Sequence, residues 1–229
     1  MSEISFGIPK GVKEGDVFPD RMSLVKVGLH RSSQRGIDGN GKDGAAAIVV
    51  SGGFVDNYDY GDEILYTGEG GNDPTTGRQI KDQSITSAGN AGLIISMRKK
   101  LPVRVIRSYK HNSPFSPKTG YRFDGLFYVK EYKITTGKDG YKIIQYRLLK
   151  ALVDGDDLTI EDGCIVEIEY IINGELKEET RSIGVQNSPV KDMASNSNYA
   201  KALIGKKKGD EFEFGSIKGK IKSIKKYLS

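Results

Sequence analysis

The chain has 229 residues, 37% of them hydrophobic and 28% charged, an ordinary globular balance with length for one large domain or two smaller ones. A single cysteine, Cys164, excludes an internal disulfide and argues against a cysteine-based metal site, while apolar runs such as 45–50 and 93–95 are far too short to span a bilayer. With no stretch resembling a signal peptide, these features predict a soluble cytoplasmic protein without a membrane partner. The net charge of +5 is unevenly divided: residues 1–152 hold 23 Lys+Arg against 16 Asp+Glu, and residues 153–229 hold 12 against 14. A basic first part fits a polyanion, most simply nucleic acid, although the same excess suits a solvated surface.

In chain order, residues 22–31 (MSLVKVGLHR) alternate loosely and read as a strand, and 30–44 (HRSSQRGIDGNGKDG) as a long polar loop. AAAIVVSGGF then forms a buried strand and EILYTG another. Residues 66–73, YTGEGGND, carry three glycines in eight positions but lack the spacing of a phosphate loop, and Glu69 would repel a phosphate there. Ser87 caps a helix from about Ala88 to Lys99, with Leu93, Ile94 and Met97 at helical spacing. Pro102 opens the strand VRVIRSY, and a Pro-containing loop spans 113–117. FDGLFYVKEYKIT pairs with YKIIQYRLL across Gly137-Lys138-Asp139-Gly140 as a hairpin. The acidic stretch 153–163 (VDGDDLTIEDG) reads as a linker or as the entry to a second domain, with one domain over 1–152 and another over 153–229. Beyond it come a hairpin about Asn173-Gly174, a short helix from Ser197 to Leu203, and strands near EFEF and GKIKSIKKY. The fold class expected is α+β, mainly antiparallel β.

The string HRSSQRGIDGNGKDGAAAIVVSGGFVDNYDYGDEILYTGEGGND, with FDG at 123–125, resembles the SRA (SET- and RING-associated, or YDG) domain over roughly the first 150 residues. The resemblance implies a twisted β-barrel with flanking helices that binds double-stranded DNA. Such a domain turns a modified cytosine, 5-methylcytosine or 5-hydroxymethylcytosine, out of the duplex and between two aromatic rings. Phe54 and Tyr66 match those rings, and Thr67, Gly36 and Gly53 fall within the same pocket. A flipped base gives up roughly a few kcal/mol of stacking, which flat rings recover. On residue chemistry alone, the two aromatics read first as packing in the core of a β domain.

Gln34 matches the tip of the family's DNA-entering thumb (33–36), where an amide can fill the gap left by the base. The turn 75–81 matches a second reaching loop, with Arg78 as the groove contact through guanine O6 and N7. Arg35, Lys42 and Lys81 read either as phosphate contacts or as solvated charges. Two positions depart from the family. Asn57 stands where many members carry aspartate; its amide can accept from cytosine N4 and donate to N3, but turned by 180° it would suit thymine. Glu69 falls near the cytosine 5-substituent, where a carboxylate would accept a hydrogen bond from a hydroxymethyl group.

The tail is similar to the C-terminal, FKBP-like domain of the bacterial Gre transcript-cleavage factors, through Ser188-Pro189, the run Ala200–Gly205, and Gly209-Asp210. That resemblance implies a small α+β domain that docks on a protein partner, a nuclease or RNA polymerase, with Lys206, Lys207 and Lys208 as partner contacts or a solvated turn. No coiled coil is present to carry transcript cleavage. Because bacterial SRA domains are often joined to nucleases, Asp124 with Glu131 and Lys133, and Asp162 with Glu175 and Lys177, are the candidates for a D…E-x-K metal site; both arise from ordinary polar alternation. His30 and His111 are too few for a histidine-based nuclease. The chain therefore reads as a binding protein without catalytic residues, metal or cofactor. A polymerase-docking factor and a metal-dependent nuclease are the alternatives.

Overall fold

The computed structural model describes residues 3–73, 75–154, 158–184 and 190–227. The chain divides into two units, Met1–Ala151 and Leu152–Leu228. The first opens with β1 (Val17–Phe18) and α1 (Arg21–Lys26). Here the expected strand at 22–31 is corrected to a helix: the Asp20 carboxylate accepts from the Ser23 N–H at 2.8 Å, and the Ser23 hydroxyl accepts from the Asp20 N–H at 3.3 Å. This reciprocal cap satisfies backbone donors that a loosely alternating pattern leaves out of account. The expected loop 30–44 likewise contains a strand, β2 (Ile37–Asn40), with three of its four residues buried.

The rest of the unit comprises β3 (Gly44–Val50), β4 (Tyr58–Asp59), β5 (Glu63–Thr67), α2 (Ala88–Lys99), β6 (Val103–Ser108), β7 (Tyr121–Thr136) and β8 (Lys142–Lys150). The strands form one sheet in the order β2-β3-β6-β7-β8-β5-β4, with β1 on β7. Only β3 and β6 are parallel, and the long connection between them, which includes α2, is what a parallel pair requires. The core gathers Ile37, Ile48, Ile64, Val105, Phe127 and Tyr146 from the strands and Leu93 from α2. Helix α2 lies close on β2 because it has no side chain at Gly92, where a Cβ would stand 3.0 Å from the Asn40 nitrogen.

The second unit is a six-stranded sheet ordered β12-β11-β10-β14-β13, with β9 on β14. Its elements are β9 (Leu152–Asp154), β10 (Cys164–Ile172), β11 (Glu175–Ile183), β12 (Asp192–Met193), α3 (Asn198–Leu203), β13 (Glu211–Phe214) and β14 (Ile217–Tyr227). The hairpin β10–β11 turns on Asn173 and Gly174, both at positive φ, as a tight two-residue turn demands. Of the two readings of 153–163, linker or domain entry, the structure has the entry: β9 is hydrogen-bonded to β14, and Ile160 is buried in the second core. Residues 155–157 of that segment, and the Ser188-Pro189 motif, lie outside the described residues. Cys164 is buried in this core as a free thiol. Among the described residues no helix is long and apolar enough to cross a membrane.

Candidate nucleic-acid interface

A cavity of about 440 Å³ opens where β3 and β5 end. Phe54, Asn57, Tyr66, Glu69, Gly36 and Gln34 all line it, so six of the expected residues, scattered over more than thirty positions, converge on one space. Tyr66 is 3% exposed and belongs to the core of the sheet. Its hydroxyl lies 3.5 Å from the Val49 carbonyl, and a Cβ at Gly36 would stand 3.0 Å from it, which is why glycine follows the thumb. Burial first, then the Glu69 carboxylate, push the Tyr66 phenol up, so it stays neutral. Phe54 is half-buried and lies outside that core cluster.

The segment carrying Phe54 is held without using its ring. Asp56 accepts from the Lys138 N–H at 3.1 Å, Gln145 donates to the Asp56 carbonyl at 3.0 Å, and Lys138 donates through its ammonium to the Val55 carbonyl at 2.8 Å. The tip of the β7–β8 hairpin thus grips one wall of the cavity. Asn57 accepts from the Thr67 N–H at 2.7 Å. That bond needs the oxygen, so the carboxamide is locked with its NH₂ on the other side, and the half-turn that would have suited thymine is no longer open. Thr67 itself is buried behind Asn57 and does not line the cavity, nor does Gly53, which is exposed beside it.

The thumb rests on buried polar groups. Arg21 donates to the carbonyls of Ser32 at 2.7 Å and Arg35 at 2.5 Å, and the Ser32 hydroxyl accepts from the N–H groups of Gln34 and Arg35. His30, fully buried, accepts through Nδ1 from the Ser32 N–H at 3.1 Å. Burial first, then the Arg21 charge, lower its pKa to about 4, so it is a neutral acceptor at physiological pH. The side chain of Gln34 is left exposed at the cavity lip.

Glu69 lines the cavity with its carboxylate already engaged. Its carboxylate accepts from the Gly89 N–H at 2.6 Å, serving the start of α2 where the Ser87 side chain makes no cap, and both its oxygens lie 3.2 Å from Arg35. Its backbone is clipped on both sides by the Asn90 amide. The group is committed to organising the thumb, the glycine stretch and α2 before any ligand arrives.

The second loop is anchored as well. Asp73 accepts from the N–H groups of Thr75 and Thr76, and Asp139 at the hairpin tip accepts from the Gln79 N–H at 2.9 Å and pairs with Arg78 at 3.2 Å. Arg78 is nevertheless 73% exposed, and neither it nor Lys42, Lys81 or Arg35 lines the cavity. Three lining residues lie outside the string that carries the resemblance: Arg21, Lys110 and Tyr121. No periodicity or motif marks them, since only the fold brings α1, the 109–111 turn and β7 to one place.

Of the two candidate nuclease sets, the second is spread along the β10–β11 hairpin, with Asp162 before β10 and Glu175 and Lys177 at the turn end, and in the first the acids are paired with arginines. Asp124 is paired with Arg122 at 2.6 Å and Arg107 at 3.3 Å, and Glu131 faces Arg147 at 3.6 Å. Among the described residues no three His, Cys, Asp or Glu side chains are grouped to hold a metal.

Residues 5–152 match the SAD/SRA domain. The chain belongs to the SAD/SRA family. Its SAD/SRA unit is similar to two Arabidopsis thaliana proteins, histone-lysine N-methyltransferase family member SUVH2 and the H3 lysine-9 specific SUVH5. The first is 39% identical over 147 residues, covering 61% of this chain and 22% of that protein. The second is 41% identical over 150 residues, covering 62% and 19%. The chain therefore spans about a fifth of the length of these relatives. Among solved structures, the modification-dependent TagI restriction endonuclease is 46% identical with a TM-score of 0.62, over 64% of this chain and 52% of that one. The SUVH5 SRA domain bound to fully hydroxymethylated CG DNA is 39% identical with a TM-score of 0.56, over 65% and 95%.

Proposed function

We propose that the SAD/SRA unit binds double-stranded DNA by turning a modified cytosine, 5-methylcytosine or 5-hydroxymethylcytosine, out of the duplex into the cavity between Phe54 and Tyr66. The observation that carries this reading is the convergence of those two rings, the locked Asn57 amide and Gly36 on one space with Gln34 at its lip. Tyr66 gives a rigid floor because the core holds it, and Phe54 gives an opposing face on a clamped segment. Asn57 offers its NH₂ to an acceptor on the Watson–Crick edge, and the second lone pair of its oxygen remains for the cytosine amino group. The complexes of the similar SUVH5 SRA domain with hydroxymethylated and with hemi-methylated CG DNA support the same ligand class here. The test is binding to matched duplexes carrying cytosine, 5-methylcytosine, 5-hydroxymethylcytosine or its glucosylated form at fixed salt, because salt alone shifts every affinity through the phosphate contacts. Equal affinity for all four would refute the reading.

For the second unit we propose a Gre C-terminal-like, FKBP-like docking module, on the order of its hairpin, helix and final strand pair and on the Ala200–Asp210 motif. It would recruit a protein partner, a nuclease on another chain in cytoplasmic defence against modified phage DNA. The similarity to a modification-dependent restriction endonuclease over about half of that chain favours this partner over RNA polymerase. Capture of polymerase by the full chain, with no effect on cleavage of modified DNA, would reverse the preference.

A further inference from the structure

A second cleft, of about 880 Å³, shares a wall with the cavity. The wall is the Arg35–Glu69 pair, in which Glu69 faces the cavity and Arg35 the cleft. The cleft follows α2 from Ala88 in its first turn to Lys99 in its last. Twelve helical residues extend about 18 Å. One strand of B-DNA carries a phosphate roughly every 3.4 Å along the axis, so this length matches about five phosphates rather than a lone ion.

The opposite bank, Glu3, Ile4 and Phe6, is fixed by Arg104, a 1% exposed side chain that donates to the carbonyls of Gly7 at 2.9 Å and Ser5 at 3.0 Å. The floor is apolar, with Phe6 and Leu101 closing over Gly44. The rim is cationic. Lys99 donates to the Lys42 carbonyl at 3.4 Å, both lysines line the cleft, and among the described residues neither has a carboxylate partner. Arg31 lines the same rim but is held by Asp38 at 2.8 Å. Of the two acids present, Asp43 accepts from the Asn40 amide, and Glu3 stands at the far bank. An apolar floor under a cationic rim complements a sugar–phosphate backbone.

We propose that this cleft is a second DNA-backbone surface, taking the strand that flanks the flipped nucleotide, with Lys42 and Lys99 on phosphates and Arg35 as the cation nearest the cavity, through its pair with Glu69. The inference rests on the base-flipping reading of that cavity. Arg35 is 45% exposed, and a pair so exposed exchanges readily for a phosphate. Glu69 then keeps its bond to the Gly89 N–H, so releasing Arg35 strands no charge.

The experiment titrates the full chain and its Lys42→Gln, Lys99→Gln and doubly substituted variants against modified and plain duplexes over a range of salt, with Lys130→Gln as the control for net charge alone. Each neutralised phosphate contact flattens the salt slope by about 0.9, which at ~0.1 M salt is about an eightfold loss relative to the 1 M reference. The expected result is that loss, roughly eightfold per lysine, on both duplexes with the modified-to-plain ratio unchanged and with Lys130→Gln within about twofold of the parent. Three results overturn the proposal: an unchanged slope in the double variant, an equal loss in Lys130→Gln, or a loss confined to the modified duplex. A parent that does not prefer the modified duplex at all sinks the cavity reading instead, and the inference with it.

Discussion

Phe54→Ala separates base capture from everything else the first unit does. The ring is half-buried and outside the sheet core, and its segment is held by Asp56, Gln145 and Lys138 through bonds that do not involve it. Truncation should therefore leave the fold and the phosphate contacts in place and remove one stacking face. Stacking of a base on an aromatic side chain is worth ~1–3 kcal/mol, which is about 5- to 150-fold in affinity. The modified-to-plain ratio, measured by fluorescence anisotropy on matched duplexes, should fall by that factor while plain-duplex affinity stays within about twofold. A 2-aminopurine placed opposite the target base should lose its fluorescence rise in parallel. An unchanged ratio, with a melting curve like that of the parent, would refute the cavity as the base site.

The parts of the fold that could be read from sequence are those specified by local chemistry. The hairpins across Gly137–Gly140 and Asn173-Gly174, the buried run of β3 and the periodic face of α2 each carry their own signal within about ten residues. The misread segments were decided by single hydrogen bonds or by pairing at a distance. The Asp20–Ser23 box turns an alternating pattern into α1, and the pairing of Ile37–Asn40 with β3 draws a strand out of a glycine-punctuated loop. The same division holds within the site. Phe54, Asn57 and Tyr66 were legible because a resemblance marked them, whereas Arg21, Lys110 and Tyr121 reach the cavity only through the tertiary fold. The bonds of Glu69 were hidden for the same reason, since nothing in YTGEGGND reveals that an uncapped helix and an arginine engage that carboxylate.

Four further predictions concern residues that hold the site. Tyr66→Ala should cost about 3–5 kcal/mol of stability, since the ring is core, whereas Tyr66→Phe should retain both stability and base ratio; denaturant midpoints and duplex titrations check both. Asn57→Ala should lose ~1–3 kcal/mol by orphaning the Thr67 N–H, while Asn57→Asp keeps that acceptor and retains stability; equal losses of stability would refute the clamp. Glu69→Gln keeps an oxygen for Gly89 but frees Arg35, so plain and modified duplexes should both bind up to about fivefold more tightly, and a changed ratio of 5-hydroxymethylcytosine to 5-methylcytosine would show that the side chain reads the base after all. The fourth is the pH dependence set by His30. Its pKa is about 4 in the folded protein against 6.5 for the free side chain, with burial as the first cause and Arg21 as the second. Between those values the unfolded chain binds the proton that the folded one refuses, so this contribution to stability is complete above about pH 6.5 and is lost as pH falls toward 4. The ceiling is on the order of 3 kcal/mol. Protonation would also take from the Ser32 N–H its acceptor and set a second cation 3.4 Å from Arg21, loosening the base of the thumb. Urea midpoints measured from pH 7.5 to 4 should fall more steeply for the parent than for His30→Gln, which carries no titrating ring. Carboxylates titrate in both proteins, so the difference between the two slopes is the readout, and parallel curves would mean that His30 does not govern the acid response.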